Sequence, residues 1–522
     1  MDNFTLLLSL AAVLTAIYYY VFKNLSYFKR NKILHKPPVP FFGNMVPFLL
    51  RRKTMVDTLQ EIYDLNGDAK YVGFYEFTTP IILLRDADLI KSITIKNFTS
   101  FTNHQAIVEK DLEPVLGNML FTLPGEKWKD MRVQLTPTFT SSKIKMMFML
   151  MSHVAVNFSH YLANLPEKER ELELKEVLTK YTSDVIASCV FGINVDTIKD
   201  PKNPIYVKGK KATDFNGFET SMKFMLQKNL PWIAKLFSIT VLDHGIQGYF
   251  TDTIRNTVKQ RLEQGIHRPD MLQNMIDMSK NNKSEKPLTM EDIVCNAFSF
   301  FFGGYNSVAS QACSIIHDLV EHPDIQKRLQ EEIDEVLENT QGKVTYDAII
   351  NMEYMDAVMN ESMRVHPSPI FIDRKCSKDF ELPPALPGGE PVTVKAGTIF
   401  WVAVHSIHHD PRYFENPHHF DPERFLQDGK RIMNSGAFVP FGLGPRMCIG
   451  TRFALTEIKV LLFYIFARSN AKACSKTTIP LELSKVTTFI NTASKGFWVK
   501  MEPRKNCSQF VDCLASNGIH QE

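Results

Sequence analysis

Toward the end of the chain, Phe441-Gly442-Leu443-Gly444-Pro445-Arg446-Met447-Cys448-Ile449-Gly450 crowds three glycines, a proline and one cysteine into a short loop. The residues that follow, Thr451 to Leu462, are strongly apolar and read as a helix. Cys448 therefore stands where loop meets helix. Free N–H groups and the positive helix end favour an anion there, and so favour its thiolate. The glycines permit positive φ and close approach of the backbone to something flat or bulky. Such a thiolate is a nucleophile, a metal ligand or neither, and the loop alone leaves all three open.

Other residues with chemical potential lie upstream. Trp128 and Arg132 are four apart in a helical stretch and share a face. They aim an indole N–H and a guanidinium at one anion, or they form a surface pair with the ring packed inward. Lys143 and Lys145 follow and extend the basic character. Glu361 and Arg364, three apart, read by themselves as a surface ion pair contributing about 0–1 kcal/mol. His405, His408, His409, His418 and His419 look like a metal tract, but their spacing fits no standard site and they read as a polar loop. The eight cysteines form no CxxC pair and no zinc spacing, which favours a reduced compartment over a disulfide framework.

The elements that must position these groups are mainly helical, with smaller β-sheets. The chain has 522 residues, 44% hydrophobic, enough for a large core, and a net charge of +3 makes no case for nucleic-acid binding. Thr289 and Asp292 mark a capped helix start, and His322-Pro323 marks its end. The helix between them is about 50 Å long. Gly303 and Gly304 sit in its middle, at a cost of about 1 kcal/mol each relative to alanine. A packing or ligand reason for that cost is expected, and Ser307 nearby can divert a backbone hydrogen bond. Tyr346 to Val365 predicts one further helix, ending before Pro367. Strands are predicted around 71–74, 80–84, 370–372 and 391–394.

At the N-terminus, Phe4 to Phe22 is apolar and uncharged, about 28 Å as a helix, and Lys23, Lys29, Arg30, Lys32 and Lys36 follow it. This predicts an uncleaved membrane anchor with a basic linker over residues 1–36, and a catalytic domain over 37–522 on the cytosolic side. Pro37-Pro38-Val39-Pro40 is expected to act as a stiff extended spacer between them. The last twenty residues are polar and are expected to fray.

Five signals occur in order: Trp128-x-x-x-Arg132, the Gly303-Gly304 helix, Glu361-x-x-Arg364, Pro422-Glu423-Arg424-Phe425, and Phe441-x-x-Gly444-x-x-x-Cys448-x-Gly450. Together they resemble the cytochrome P450 family, the haem-thiolate monooxygenases, over essentially the whole chain. The anchor with its proline hinge resembles the microsomal branch. Phe191 to Asp196, His267 to Met271 and Phe438 to Arg446 look most like insect xenobiotic-metabolising members, which are similar to the vertebrate drug-metabolising subfamily. The resemblance implies haem b as cofactor, with Cys448 as the iron ligand in the loop opened by Phe441. It implies that Trp128, Arg132, Arg374 and Arg446 bind the haem propionates. It implies that Glu361, Arg364 and Arg424 form a buried triad, and that Gly303 and Gly304 leave room for dioxygen.

One departure stands out. The family commonly has an acid followed by threonine where this chain has Asn306 and Ser307. Ser307 keeps a hydroxyl that can donate to bound dioxygen, whereas Asn306 cannot relay a proton as an acid does. Oxygen activation is therefore expected to leak peroxide. Family substrate contacts map onto the loop from Phe101 to Leu120, residues 205–250, Phe301, Phe302, Ile370, Phe371 and Ile490-Asn491-Thr492, and imply a lipophilic substrate. No nucleotide-binding fingerprint is present. Electrons would come from an NADPH-cytochrome reductase, with cytochrome b5 as a further partner, docked on a basic face that includes Lys129 or Lys143. The implied location is the endoplasmic reticulum membrane. Two alternatives stay open: a haem-thiolate isomerase or dehydratase acting on a peroxide, and a haem protein that binds ligand without turnover.

Overall fold

The computed structural model describes residues 24–511, except 215–217, 281–286 and 488, together with scattered positions among the first 23. The anchor expected over Phe4 to Phe22 lies largely outside the described residues, as do residues 512–522 of the expected frayed tail. Among the described residues no helix is long and apolar enough to cross a membrane.

The organising element is the helix Met290–Glu321. Its start is the expected capping box. The Asp292 N–H donates to Thr289 Oγ1 at 3.1 Å, and the Thr289 N–H donates to Asp292 Oδ2 at 3.0 Å. Most of this helix is buried, because the helices Leu174–Ile186, Glu353–Val365 and Thr451–Arg468 all pack on it. The helix Ser141–Ala163 packs in turn along Thr451–Arg468.

Among the described residues nine short strands flank this helical body: β1 (Tyr71–Glu76), β2 (Thr79–Leu84), β3 (Glu171–Glu173), β4 (Phe371–Lys375), β5 (Phe380–Leu382), β6 (Val392–Val394), β7 (Ile399–Ala403), β8 (Ser469–Lys472) and β9 (Trp498–Pro503). The largest sheet has the order β1-β2-β7-β4. β7 pairs parallel with β2 and antiparallel with β4, and Arg374 lies opposite Phe400. All five β7 residues are apolar and buried, as expected for a strand covered on both faces. Mainly helical with small sheets is the observed class.

Three local expectations change. The stretch Tyr346 to Val365 is two helices, Tyr346–Ile350 and Glu353–Val365. Distant side chains stabilise the break. Glu332 accepts the N–H groups of Tyr354 and Met355, at 2.8 and 2.9 Å. Lys459 donates to the carbonyls of Ile349, Ile350 and Met352. Pro37 to Pro40 is not an open spacer either. Val39 and Gly43 exchange backbone hydrogen bonds at 2.9 and 2.8 Å. Phe28, before it, is already buried against Tyr75 with ring centroids 4.9 Å apart. Finally, only His418 and His419 lie in an exposed polar turn, and His405, His408 and His409 do not. Val404–His408 is a helical turn, His408 is fully buried, and the His405 ring stacks on His409 at 4.0 Å.

Candidate functional site

The Cys448 loop is a tight, internally bonded turn. The Cys448 N–H donates to the Phe441 carbonyl at 2.9 Å, and the Met447 N–H to the Gly444 carbonyl at 2.9 Å. Gly444 has φ +76°, and a Cβ there would stand 2.0 Å from the Thr94 carbonyl oxygen. Only glycine satisfies both conditions. Gly450 then caps the helix Thr451–Arg468. The Gly450 N–H, the Thr451 hydroxyl and Arg132 all favour the thiolate as expected, but burial outweighs them and pushes the Cys448 thiol up. Cys448 is nonetheless exposed. The two observations agree if its sulfur opens onto a cleft deep inside the protein rather than onto bulk water. A thiol so placed becomes a thiolate when a metal takes it.

A cationic cluster borders the cleft. Arg446 is buried over the Trp128 ring, 4.2 Å from its centroid, and donates to the carbonyls of Thr102 and Leu123 at 2.8 and 2.6 Å. Arg374 donates to the carbonyls of Asp373 and Leu443, and its Nε is buried without a partner. Arg132 has no acid partner among the described residues and lies close enough to Cys448 for each to favour the other's charged form. Burial and mutual repulsion lower Arg446 to about 9, and burial lowers Arg374 to about 10, so both stay charged near neutrality. The acid facing them is Asp373. Burial opposes its ionisation, but His104 and the Gln105 N–H, bonded at 2.8 and 2.6 Å, help hold it below the usual range. Three guanidinium groups against one carboxylate leave a surplus of two positive charges. Buried cations without counter-charge are costly. A dianion removes that cost, and haem carries two propionates.

The expected triad is present, with Glu361 and Arg364 fully buried and Arg424 largely so. Arg364 has five N–H donors and five acceptors. Nε and one terminal nitrogen take both Glu361 oxygens, at 2.8 and 2.7 Å. The remaining donors reach the carbonyls of His408, Pro417 and His419. Arg424 completes the set, its Nε 3.5 Å from Glu361. The network continues toward the cysteine. His408 Nε2 accepts the Val439 N–H at 2.9 Å, and the Val439 carbonyl accepts the Gly442 N–H at 3.1 Å. Burial lowers His408 to about 3, which keeps the ring neutral and able to accept. Arg364 thus holds the Cys448 loop through His408 and Val439.

Side chains link the long helix to this loop. Phe139 joins them: it would lie 3.8 Å from a Cβ on Gly450, and its ring meets Phe300 edge-on at 5.0 Å. A second link runs through Leu120, whose N–H reaches Asn296 and whose carbonyl receives Arg446. Gly303 is exposed, and a Cβ there would meet nothing within 4 Å. Gly304 differs: Ile186 takes the place of its missing side chain, 2.6 Å from where a Cβ would stand, so the room lies at Gly303. Ser307 Oγ donates to the Gly303 carbonyl at 2.5 Å. The Asn306 carboxamide turns away from Ser307 and donates to the Thr213 carbonyl at 3.4 Å. Phe301 is not on the cleft. It is fully buried among Phe191, Phe250, Phe298 and Tyr305. Ile370 is also buried, whereas Phe302 and Phe371 are half-buried, with Phe371 stacked on Trp401 at 3.7 Å. Lys129 is paired with Glu126 and Lys145 with Asp347.

Sequence reading missed Phe139, His104, Asp373 and Asn296. Nothing in their spacing marks them, since His104 and Asp373 are 269 positions apart.

The comparisons agree with this geometry. The Cytochrome P450 family profile matches residues 34–499. The chain is 39% identical to "Cytochrome P450 9e2" of Blattella germanica over 512 residues, 92% of this chain and 95% of that one. It is 38% identical to "Probable cytochrome P450 9f2" of Drosophila melanogaster over 515 residues, 95% of this chain and 99% of that one. It is 32% identical to "Cytochrome P450 6j1" of Blattella germanica, over 89% of this chain and 91% of that one. A cysteine held on a glycine turn, two surplus cations and an open notch in the facing helix fit a haem, and with these relatives the chain belongs to the cytochrome P450 family of haem-b monooxygenases.

Proposed function

We propose that this protein inserts one oxygen atom of dioxygen into a lipophilic small molecule, with electrons from NADPH delivered by a separate reductase. The observation that carries the reading is the surplus of positive charge at Arg132, Arg374 and Arg446 beside Cys448. Cys448 would ligate the iron, and Trp128, Arg132, Arg374 and Arg446 would hold the propionates, with Phe441 closing the loop beneath. Bound haem supplies the dioxygen and electron chemistry. Gly303 leaves space on the opposite side, and Ser307 holds a hydroxyl one turn along, able to swing from the Gly303 carbonyl. Asn306 holds no transferable proton and points elsewhere. Peroxide should therefore be a larger product than in an Asn306→Asp variant. Equal peroxide yields from the two proteins would refute that reading.

A single N-terminal anchor with a cytosolic catalytic domain rests on the apolar run Phe4 to Phe22 and the basic residues after it, and contact of the domain itself with the membrane is supported by exposed apolar side chains. Trp232, Leu236 and Phe237 are exposed beyond the helix Phe218–Asn229, and Phe41 and Phe42 beside β1. Lys228 and Glu76, paired at 2.7 Å, tie the two regions together. Apolar patches of this kind mark lipid or protein contacts. The half-buried rings of Phe302 and Phe371 favour a lipophilic substrate. Reductase and cytochrome b5 docking remain readings of the family. The test is the reduced, CO-bound spectrum of the full chain, followed by NADPH consumption with reductase across a panel of lipophilic compounds. A strongly red-shifted band marks the thiolate ligand, and Cys448→Ala should lose it while keeping helical content. Peroxide consumption without NADPH demand would mark the isomerase alternative instead.

A further inference from the structure

Lys175 enters the long helix beside the altered Asn306-Ser307 pair. It sits in the first turn of the helix Leu174–Ile186, which packs along Met290–Glu321. Its Nζ donates to the Asn306 backbone carbonyl at 2.8 Å and to the Ser310 hydroxyl at 2.5 Å. At 100° per residue, Ser310 falls about 20° from Gly303 and about 60° from Ser307 around the helix. The lysine is therefore bonded on the same side of the helix that opens at Gly303. The Asn306 side chain is not in this arrangement, because it reaches the Thr213 carbonyl on the helix Pro204–Thr213.

We propose that Lys175 supplies the protons that an acid at position 306 would otherwise handle, passing them by way of Ser310 to the helix groove at Ser307. Lys175 is a positioning and proton-holding residue, since it acts through Ser310 and Ser307. The inference rests on the haem-thiolate reading. One proton leaves Nζ for each proton delivered, and one must return to it from solvent. The electrons come from the reductase, and two protons are consumed for each dioxygen converted to product and water.

The surroundings suit that task. Two titratable groups face Nζ, Cys313 of the long helix and Glu173 at the entry to its own helix, and the Glu173 carboxylate favours the ammonium. Tyr206, of the helix Pro204–Thr213, lies near Glu173 and Glu176 and is held neutral by burial. The Cys313 thiol is itself pushed up by burial and stays neutral. Burial of Lys175 wins and lowers it to about 8. The group is charged at neutral pH but holds its proton less tightly than an ordinary lysine.

The test needs no identified substrate. The full-length holoprotein with reductase and NADPH, but no added compound, divides dioxygen between hydrogen peroxide and water. Peroxide consumes one NADPH per dioxygen and water consumes two. Lys175→Arg keeps the charge and the donors but does not release a proton near neutrality. The wild type should show a peroxide share that rises at least about twofold from pH 7 to pH 9, as Lys175 loses its proton. Lys175→Arg should show a share about threefold higher at pH 7 and flat across that range. A wild-type share and pH profile in Lys175→Arg would overturn the proposal. So would a Lys175→Met variant that loses the reduced CO band while Lys175→Arg behaves as wild type, for then the lysine only braces the helix. Absence of that band in the wild type would instead overturn the haem-thiolate reading beneath it.

Discussion

Gly444 shows how much of this site hangs on single residues. Its left-handed backbone and its contact with the Thr94 carbonyl leave no room for a side chain. Gly444→Ala adds about 1–2 kcal/mol of backbone strain and forces the loop away from residues 92–96. The expected outcome is a lower melting temperature together with a reduced holoprotein yield, read from the haem-to-protein absorbance ratio. Unchanged yield would mean that the loop tolerates displacement. Gly303 and Gly304 are adjacent but not equivalent. Gly304 is a contact with Ile186, and Gly303 is a space. No property of either residue in the sequence separates the two roles, because both follow from which helix lies opposite.

Among elements, the decisive connection is between the helix Glu353–Val365 and the cysteine loop. Arg364 has every donor satisfied, and Glu361 receives Arg364, Arg424 and the Asp421 N–H. Removing one member leaves an uncompensated buried charge, which costs about 3–5 kcal/mol. Arg364→Ala should therefore fail to incorporate haem, and no reduced CO band should form. A normal holoenzyme yield from that variant would show that the loop is held by other means. The spacing Glu361-x-x-Arg364 makes the pair legible, but by itself it predicts only a surface contact. Only the return of the chain at His408, Pro417 and His419 turns it into a core bracket. The same logic splits the helix predicted over Tyr346 to Val365. Local propensity favours continuation, and Glu332 and Lys459 outweigh it by satisfying the freed backbone groups.

For the whole molecule, the described residues from 24 onward include packed chain ahead of the proline run, with Phe28 buried and the Tyr75 hydroxyl donating to the Leu25 carbonyl at 2.8 Å. Removal of residues 1–22 should thus leave the reduced CO band intact and weaken membrane association. Sedimentation with vesicles before and after truncation measures this. If the exposed Trp232, Leu236 and Phe237 contribute, part of the binding should survive the truncation.

The sequence by itself determined the family and the helical class, and it displays the cysteine proposed as ligand, the arginines and the Asn306-Ser307 departure. These are written as residue types at short spacings, which local geometry forces onto one turn or one loop. Tertiary structure decided what distance along the chain conceals. It placed His104 on Asp373, put Lys175 against the Asn306 carbonyl, buried Phe301 away from the cleft and made the histidines of Val404–His408 part of the core. Each of these depends on which groups meet after folding and on the burial that results. Spacing carries no record of either, since a buried partner hundreds of positions away costs the sequence nothing to omit from its local pattern.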